Sequence, residues 1–288
     1  MRFWQTSKRN LDLSHPLVMG ILNATPDSFS DGGKFVSVNA ALIRAEAMIE
    51  DGADIIDVGG ESTRPGSNRV SIDDETKRVV PIIEAIAKRF EIPISIDTNK
   101  SEVAAAALDA GAEIINDISG LRFDALIADV AAATGAGVVL MHSRGEFETL
   151  HSQPPTDNII QDVVADFRRA ISIAENAGVR SEQIALDVGI GFGKTQEQNL
   201  ELIAKLDRLV SEFQEYPFLI GTSRKSFIGK LLDDAPVDER LSGSLATAAI
   251  AVWNGAKIVR VHDVKETVDV IIMAVALGER RGTCIDLY

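Results

Sequence analysis

The sequence holds one cysteine, Cys284, among 288 residues. No intrachain disulfide can form, which suits a reducing compartment, and a cytoplasmic location is expected. Positive charge is also scarce. Lys and Arg number 29 against 43 Asp and Glu, for a formal net charge of -14. Such a chain repels nucleic acid and anionic membrane at long range, so neither is expected as a partner. An anionic ligand must then be met by a local basic cluster. No run of about 18 apolar residues occurs, so no membrane span is expected. The opening stretch MRFWQTSKRNLDLSHP lacks the apolar segment of a secretory signal. The four histidines, His15, His142, His151 and His262, form no HExxH or HxH, and there is no CxxC, which disfavours zinc. GTSRK does not fit GxSxG, which argues against a nucleophile elbow. GIGFGKT (189–195) misses the phosphate-loop pattern, because Val188 stands where its first Gly belongs, and it also misses GxGxxG.

What is present is regular. Eight short apolar runs recur: 17–23, 53–60, 92–98, 112–120, 137–142, 184–193, 218–223 and 257–263. They are continuous rather than alternating, as parallel strands buried on both faces should be. Helical patterns lie between them, for example 38–52, 73–90, 100–111 and 158–178. Three of these four close on Gly, a common helix stop. Eight strand–helix units predict an α/β chain folded as a single (β/α)8 TIM barrel over residues 1–288. A doubly wound sheet is the competitor, but it calls for a glycine-rich turn after the first strand, and none is there. Two connections exceed what a barrel needs: ATPDSFSDGGKFVS after the first strand and ESTRPGSNRVSID after the second. Both fall on the face where barrel active sites are built, and they are expected to be long active-site loops.

Every strand ends in polar residues: Asn23, Asp57, Glu61 to Arg64, Asp97, Asn116-Asp117, His142, Asp187, Ser223 to Lys225, and Arg260, His262 and Asp263. One such residue is as often a helix cap as a ligand group. Eight coincident ends point to a site, since unpartnered buried polar groups cost roughly 1–3 kcal/mol each. The types also sort. Asp97, Asn116 and Asp187 are acceptors that suit a flat heterocycle rich in N–H groups. Arg64, Lys225, Arg260 and His262 are donors that suit phosphate or carboxylate. A floor for the heterocycle and a rim for the anion are therefore expected. Asn23, beside an acidic loop, could help hold a Mg²⁺ that chelates a diphosphate.

The motifs GILNATPDSFSDGG (20–33), DVGGESTRPGS (57–67), ISIDT (94–98), INDISG (115–120), LMH (140–142), LDVGIGFGKT (186–195), GTSRKSFIGK (221–230) and VRVHD (259–263) resemble the dihydropteroate synthase family of pterin-binding barrels. The match runs in order along the whole barrel. The resemblance implies a transferase of folate biosynthesis, and a sulfonamide target. It would condense (7,8-dihydropterin-6-yl)methyl diphosphate with 4-aminobenzoate to give 7,8-dihydropteroate and pyrophosphate. It further implies that Asp97, Asn116, Asp187 and Lys225 meet the pterin ring, with Met141 and Phe192 near its faces. Arg260, His262 and Asn23 would hold the diphosphate and its Mg²⁺. Thr63, Arg64 and Gly221 also belong to the pterin diphosphate site. Thr63, Pro65, Phe192 and Ser226 would line the 4-aminobenzoate pocket. The catalytic groups would be Asp97, Lys225, Arg260 and His262.

The chain departs from the family pattern in two places. Val188 replaces the Pro of DPG, and SRGEFETLHSQPP (143–155) replaces a segment that often begins MxGxP. Asn68 and Arg69 fall just beyond TRPG, where members vary. Two other readings share the barrel. A pterin-binding methyltransferase module would lack the TRPG, GTSRK and RVH groups, and an inactive binding barrel would have lost Lys225, Arg64 or a pterin acid. None is lost. The resemblance also implies a homodimer through far-side helices, with 242–253 and 268–278 as candidates. No length is left for a fused pyrophosphokinase.

Overall fold

The computed structural model describes residues 2–24, 34–63, 66–150 and 152–280. Eight strands close a parallel barrel: β3(Leu17–Asn23), β4(Ile55–Gly59), β5(Ile94–Asp97), β6(Ile114–Asp117), β7(Gly137–Met141), β8(Ile184–Asp187), β9(Phe218–Ile220) and β10(Ile258–Val261). β10 pairs with both β9 and β3, which completes the ring. All eight lie within the apolar runs read from the sequence.

Helices α1(Lys34–Glu50), α2(Ile72–Arg89), α3(Ser101–Asp109), α4(Leu126–Thr134) and α5(Ile159–Asn176) follow β3 to β7 one by one. β8 is followed by α6(Gln196–Ala204) and α7(Leu206–Glu212), β9 by α8(Ser226–Leu231) and α9(Leu241–Trp253), and β10 by α10(Val264–Arg280). The Gly stops at 52, 111 and 178 each adopt positive φ just past a helix, as the sequence suggested. α1 begins four residues before the helical pattern expected at 38–52. Residues 25–33 of that loop lie outside the described residues, as do Arg64 and Pro65. Among the described residues no helix is long and apolar enough to cross a membrane.

The strand pleat decides what faces the lumen. The lower lumen is one apolar cluster that includes Met19, Ile55, Ile114, Val139, Ala185, Leu219 and Ile258. Side chains on one face recur every second residue. Two residues on from five of these positions come Asp57, Asn116, Met141, Asp187 and Arg260. The same polar tier thus sits one step above the same apolar tier around the ring. Register staggers this tier from strand to strand: Asp97 is level with Asn116 and Met141 with Asp187, while Asp57 is level with Ser95, Asn116 also with Val139, and Arg260 with Met19. The opposite strand faces pack against the helices in a second, larger core.

The base of the lumen is stoppered by a hairpin absent from the sequence reading. β1(Phe3–Gln5) and β2(Asn10–Asp12) pair antiparallel. Fully buried Trp4 joins the lower apolar cluster and donates its Nε1–H to the Gln183 carbonyl at 2.8 Å. Gly137 makes room for it, since a Cβ there would come within 3.3 Å of the indole. Thr6 and Arg9 both reach the buried Glu113 carboxylate, at 2.6 and 3.1 Å.

Candidate active site

At the C-terminal mouth, Arg260 is held between two acids. Its Nε donates to Asp57 Oδ2 at 2.7 Å and an Nη donates to Asp97 Oδ2 at 2.6 Å. Asn116 Nδ2 donates to the same Asp57 oxygen at 3.3 Å. Burial works against the guanidinium charge, yet the two carboxylates hold Arg260 above its ordinary range. Burial also pushes the Asp97 carboxyl up to about 7, with Arg260 pulling the other way and Asp57 adding repulsion. Across the lumen, burial raises Asp187 while Lys225 opposes the rise. Lys225 is in turn lowered by burial to about 8, with Asp187 holding it up. Its Nζ donates to the Ile190 carbonyl and lies 4.7 Å from the centre of the Phe192 ring.

This corrects the expected division into floor and rim. Arg260 and Lys225 do not stand above the acids. They close the ring beside the acids: Asp57, Asp97, Asn116 and Asp187 stand on β4, β5, β6 and β8, Lys225 follows β9, and Arg260 stands on β10, from where it reaches Asp57 and Asp97. A buried carboxylate needs a cation beside it.

The remaining sequence candidates fall into place around the ring. His262 Nδ1 lies 3.0 Å from Ser223 Oγ, which also accepts from the His262 backbone N–H at 3.2 Å. Gly221 sits where a Cβ would lie 3.8 Å from Arg260 Cβ and 4.0 Å from Lys225 Nζ. Lys225 caps α8 and Ser226 is that helix's first residue. Asn23 ends β3, half-buried and level with Gly59. Thr63 is half-buried in the loop after β4. Met141 and Phe192 share an apolar cluster with Ile118, Phe123, Phe147 and Leu150. The assignments of Arg64 and Pro65 lie outside the described residues.

Four strand-end groups prove structural. Asp117 follows Asn116, so it points away from the lumen. It accepts from the Ser119 and Leu121 backbone N–H groups at 2.8 and 2.6 Å, tying the turn after β6. Asp263 pairs with Arg224 at 2.9 and 2.5 Å and pins the loop that presents Lys225. Buried His142 is held neutral by burial and by the nearby Lys194 charge.

The GIGFGKT segment also gains a role. Lys194 is turned inward, where Nζ donates to the carbonyls of Gly189, Phe192 and His142 at 2.7, 2.9 and 3.1 Å. Burial lowers it well below the usual lysine range. It fastens the segment carrying Phe192 and Ile190 to the end of β7. The turn tolerates Val188 in place of Pro because Val188 is buried in the outer core and Asp187 Oδ1 accepts from the Gly189 N–H at 2.8 Å. Gly189 has φ of +64°, and a Cβ there would collide with the His142 carbonyl.

Sequence reasoning assigned no role to Asp57 or Lys194. Asp57 was findable as the second lumen position after Ile55. Lys194 was not, since nothing local marks a lysine that turns inward.

A barrel with a buried ring of acids and cations at its mouth defines a heterocycle- and anion-binding enzyme. The model of the pterin binding enzyme family matches residues 19–262. The dihydropteroate synthase of Escherichia coli (strain K12) is 52% identical over 262 residues, which are 90% of this chain and 91% of that one. The dihydropteroate synthase of Yersinia pestis, solved with a sulfonamide drug, superposes with a TM-score of 0.87 at 44% identity, covering 94% of this chain and 97% of that one. The Xanthomonas albilineans enzyme, solved with 4-aminobenzoic acid, gives 0.88 at 40% identity, covering 96% and 98%. The chain belongs to the pterin binding enzyme family, within its dihydropteroate synthase branch.

Proposed function

We propose that the chain condenses (7,8-dihydropterin-6-yl)methyl diphosphate with 4-aminobenzoate, releasing 7,8-dihydropteroate and pyrophosphate. The observation that carries this is the ring of Asp97, Asn116, Asp187, Lys225 and Arg260, in a chain about half identical to dihydropteroate synthases. The acceptors suit the N–H edge of a pterin, and Met141 and Phe192 offer apolar contact to its faces. As the C–O bond to the diphosphate breaks, positive charge grows on the methylene carbon and spreads into the ring. The Asp97 carboxylate stabilises that charge. Arg260 and His262 stabilise the negative charge growing on the leaving diphosphate. The aromatic amine attacks as the neutral base and loses its proton afterwards, so no activated nucleophile is required. Thr63, Ser226 and Pro65 are our candidates for the 4-aminobenzoate pocket.

Asn23 fits a Mg²⁺ role. It offers one hard amide oxygen at the mouth, and Mg²⁺ commonly takes one or two protein oxygens beside substrate phosphates and water. Bound there with the diphosphate, the ion would add Lewis-acid stabilisation of the leaving group. Removing Mg²⁺ with a chelator should abolish turnover, and Asn23→Ala should raise the Mg²⁺ concentration needed.

The deciding assay supplies both substrates and Mg²⁺ and measures pyrophosphate. No release overturns the reading. A sulfonamide that binds without competing against 4-aminobenzoate overturns the pocket assignment.

Self-association through α9 and α10 belongs to the same reading. The two helices pack together and leave Ile250, Trp253, Ile272, Met273 and Leu277 exposed. Large exposed apolar side chains on two packed helices favour a partner surface. Light scattering should give twice the chain mass, and Met273→Glu with Leu277→Glu should return it to one. A cytoplasmic site of action fits the cysteine-poor composition.

A further inference from the structure

The described residues between β4 and α2 (60–63 and 66–71) include Thr63 and are tied to one another. Glu61 Oε1 accepts from the Val70 N–H at 2.5 Å, and Ser67 Oγ donates to Ser62 Oγ at 2.9 Å. Lys100 holds the Glu61 carboxylate from below at 3.0 Å. These ties join the Thr63 side of the segment to the Arg69 side, so whatever fixes one fixes the other.

Arg69 reaches across the mouth. Its guanidinium lies 4.9 Å from the Phe147 ring centre and 5.6 Å from that of Phe123. Both distances are within the range of cation–π attraction. Arg122 lies over the Phe123 ring at 5.4 Å and also binds the second loop, donating to Ser143 Oγ at 2.7 Å and to the Gly145 carbonyl at 3.1 Å. Arg144 ties that loop to the Gly193 carbonyl at 3.0 Å and to Asp162 at 3.2 Å. Residues 143–150 therefore form a braced platform. Buried Phe147 is part of it and shares a cluster with Met141 and Phe192.

We infer that Arg69 is a positioning residue that latches the Thr63-bearing loop onto Phe147 and so sets the opening through which 4-aminobenzoate enters. The inference rests on the synthase reading of the site. Breaking the latch loosens the second substrate's pocket and leaves Asp97, Asn116 and Asp187, which lie on strands, in place.

The test is steady-state kinetics of the full chain with both substrates. Arg69→Ala should raise KM for 4-aminobenzoate about two- to fivefold, the scale of one exposed cation–π contact. The kcat and the KM for the pterin diphosphate should stay put. Phe147→Leu keeps an apolar side chain but removes the ring face, and should act alike. The double variant should be no worse than the worse single, because both cut one contact. Arg69→Lys should restore part of the loss. Glu148→Gln, which removes an exposed carboxylate 3.8 Å from Arg69, should change nothing. Additive effects in the double variant, an unchanged KM in Arg69→Ala, or equal losses for both substrates would overturn the latch. If Phe147→Leu does not fold, Arg69→Ala and Arg69→Lys still decide. Failure of the wild type to release pyrophosphate sinks the synthase reading instead, so the two failures are distinct.

Discussion

Asp57 and Arg260 form the innermost ion pair of the mouth, 2.6 Å apart, with the carboxylate fully buried. Asp57 Oδ1 has no hydrogen-bond partner, so the acid commits its other oxygen to Arg260 and Asn116 together. Asp57→Asn keeps the shape and removes the charge. Arg260 then leans on Asp97 alone, and Asp97 loses a repelling neighbour. Stability should fall by on the order of 1–3 kcal/mol. The Asp97 carboxyl should titrate lower, since the Asp57 charge helps to raise it. Thermal melts and a pH–rate profile check both effects. An acid limb that stays in place contradicts the assigned coupling.

The wild-type profile itself is informative. Asp97 must be ionised to stabilise the cationic carbon, and it sits at about 7. Lys225 at about 8 is protonated below that value. The kcat/KM for the pterin diphosphate should rise through about 7 and fall beyond about 8, a narrow bell. Asp187→Asn removes the charge that holds Lys225 up, so the falling limb should move to lower pH. For stability the sign is opposite at the acid. A carboxyl raised on folding contributes below its unfolded value, and that contribution is lost as pH climbs through about 7. A rate flat across this window would contradict both assignments.

Lys194→Met should expose the cost of three abandoned carbonyls. Losing the donor to Gly189, Phe192 and His142 is expected to destabilise by about 3 kcal/mol, or roughly 5–10 °C in Tm for a domain of this size. Turnover should drop as well, because Phe192 and the Ile190 carbonyl lose their anchor. A melt within a degree or two of wild type would argue that the segment holds itself.

Trp4→Ala tests the stopper. The lost indole leaves a cavity in the lower lumen, worth about 3–5 kcal/mol. The mouth is a tier away, so kcat and both KM values of the folded enzyme should be unchanged. Altered kinetics would mean the base communicates with the site.

The barrel was legible in the sequence because strands buried on both faces read as plain apolar runs and their helices stop on glycine. Asp97, Asn116 and Asp187 were legible because strand ends are easy to place. Whether an end residue faces the lumen was harder: Asn116 and Asp117 look alike in the sequence, and one residue of pleat sends Asp117 to tie a turn. The pairing of Arg260 with Asp57 and Asp97 joins strands far apart in the chain, which no single segment encodes. The hairpin escaped notice because its strands of three residues have no period to read, and Trp4 finds its partner far along the chain.

That last distance bears on how the protein is made. Trp4 and Gln183 are separated by 179 positions. At translation rates of about 5–20 residues per second, the indole waits roughly 10–35 s for the carbonyl it will bind. Throughout that interval the indole lacks the carbonyl it will bind. The stopper is thus made well before the partner that fixes it, and it docks only after five of the eight barrel strands have been made.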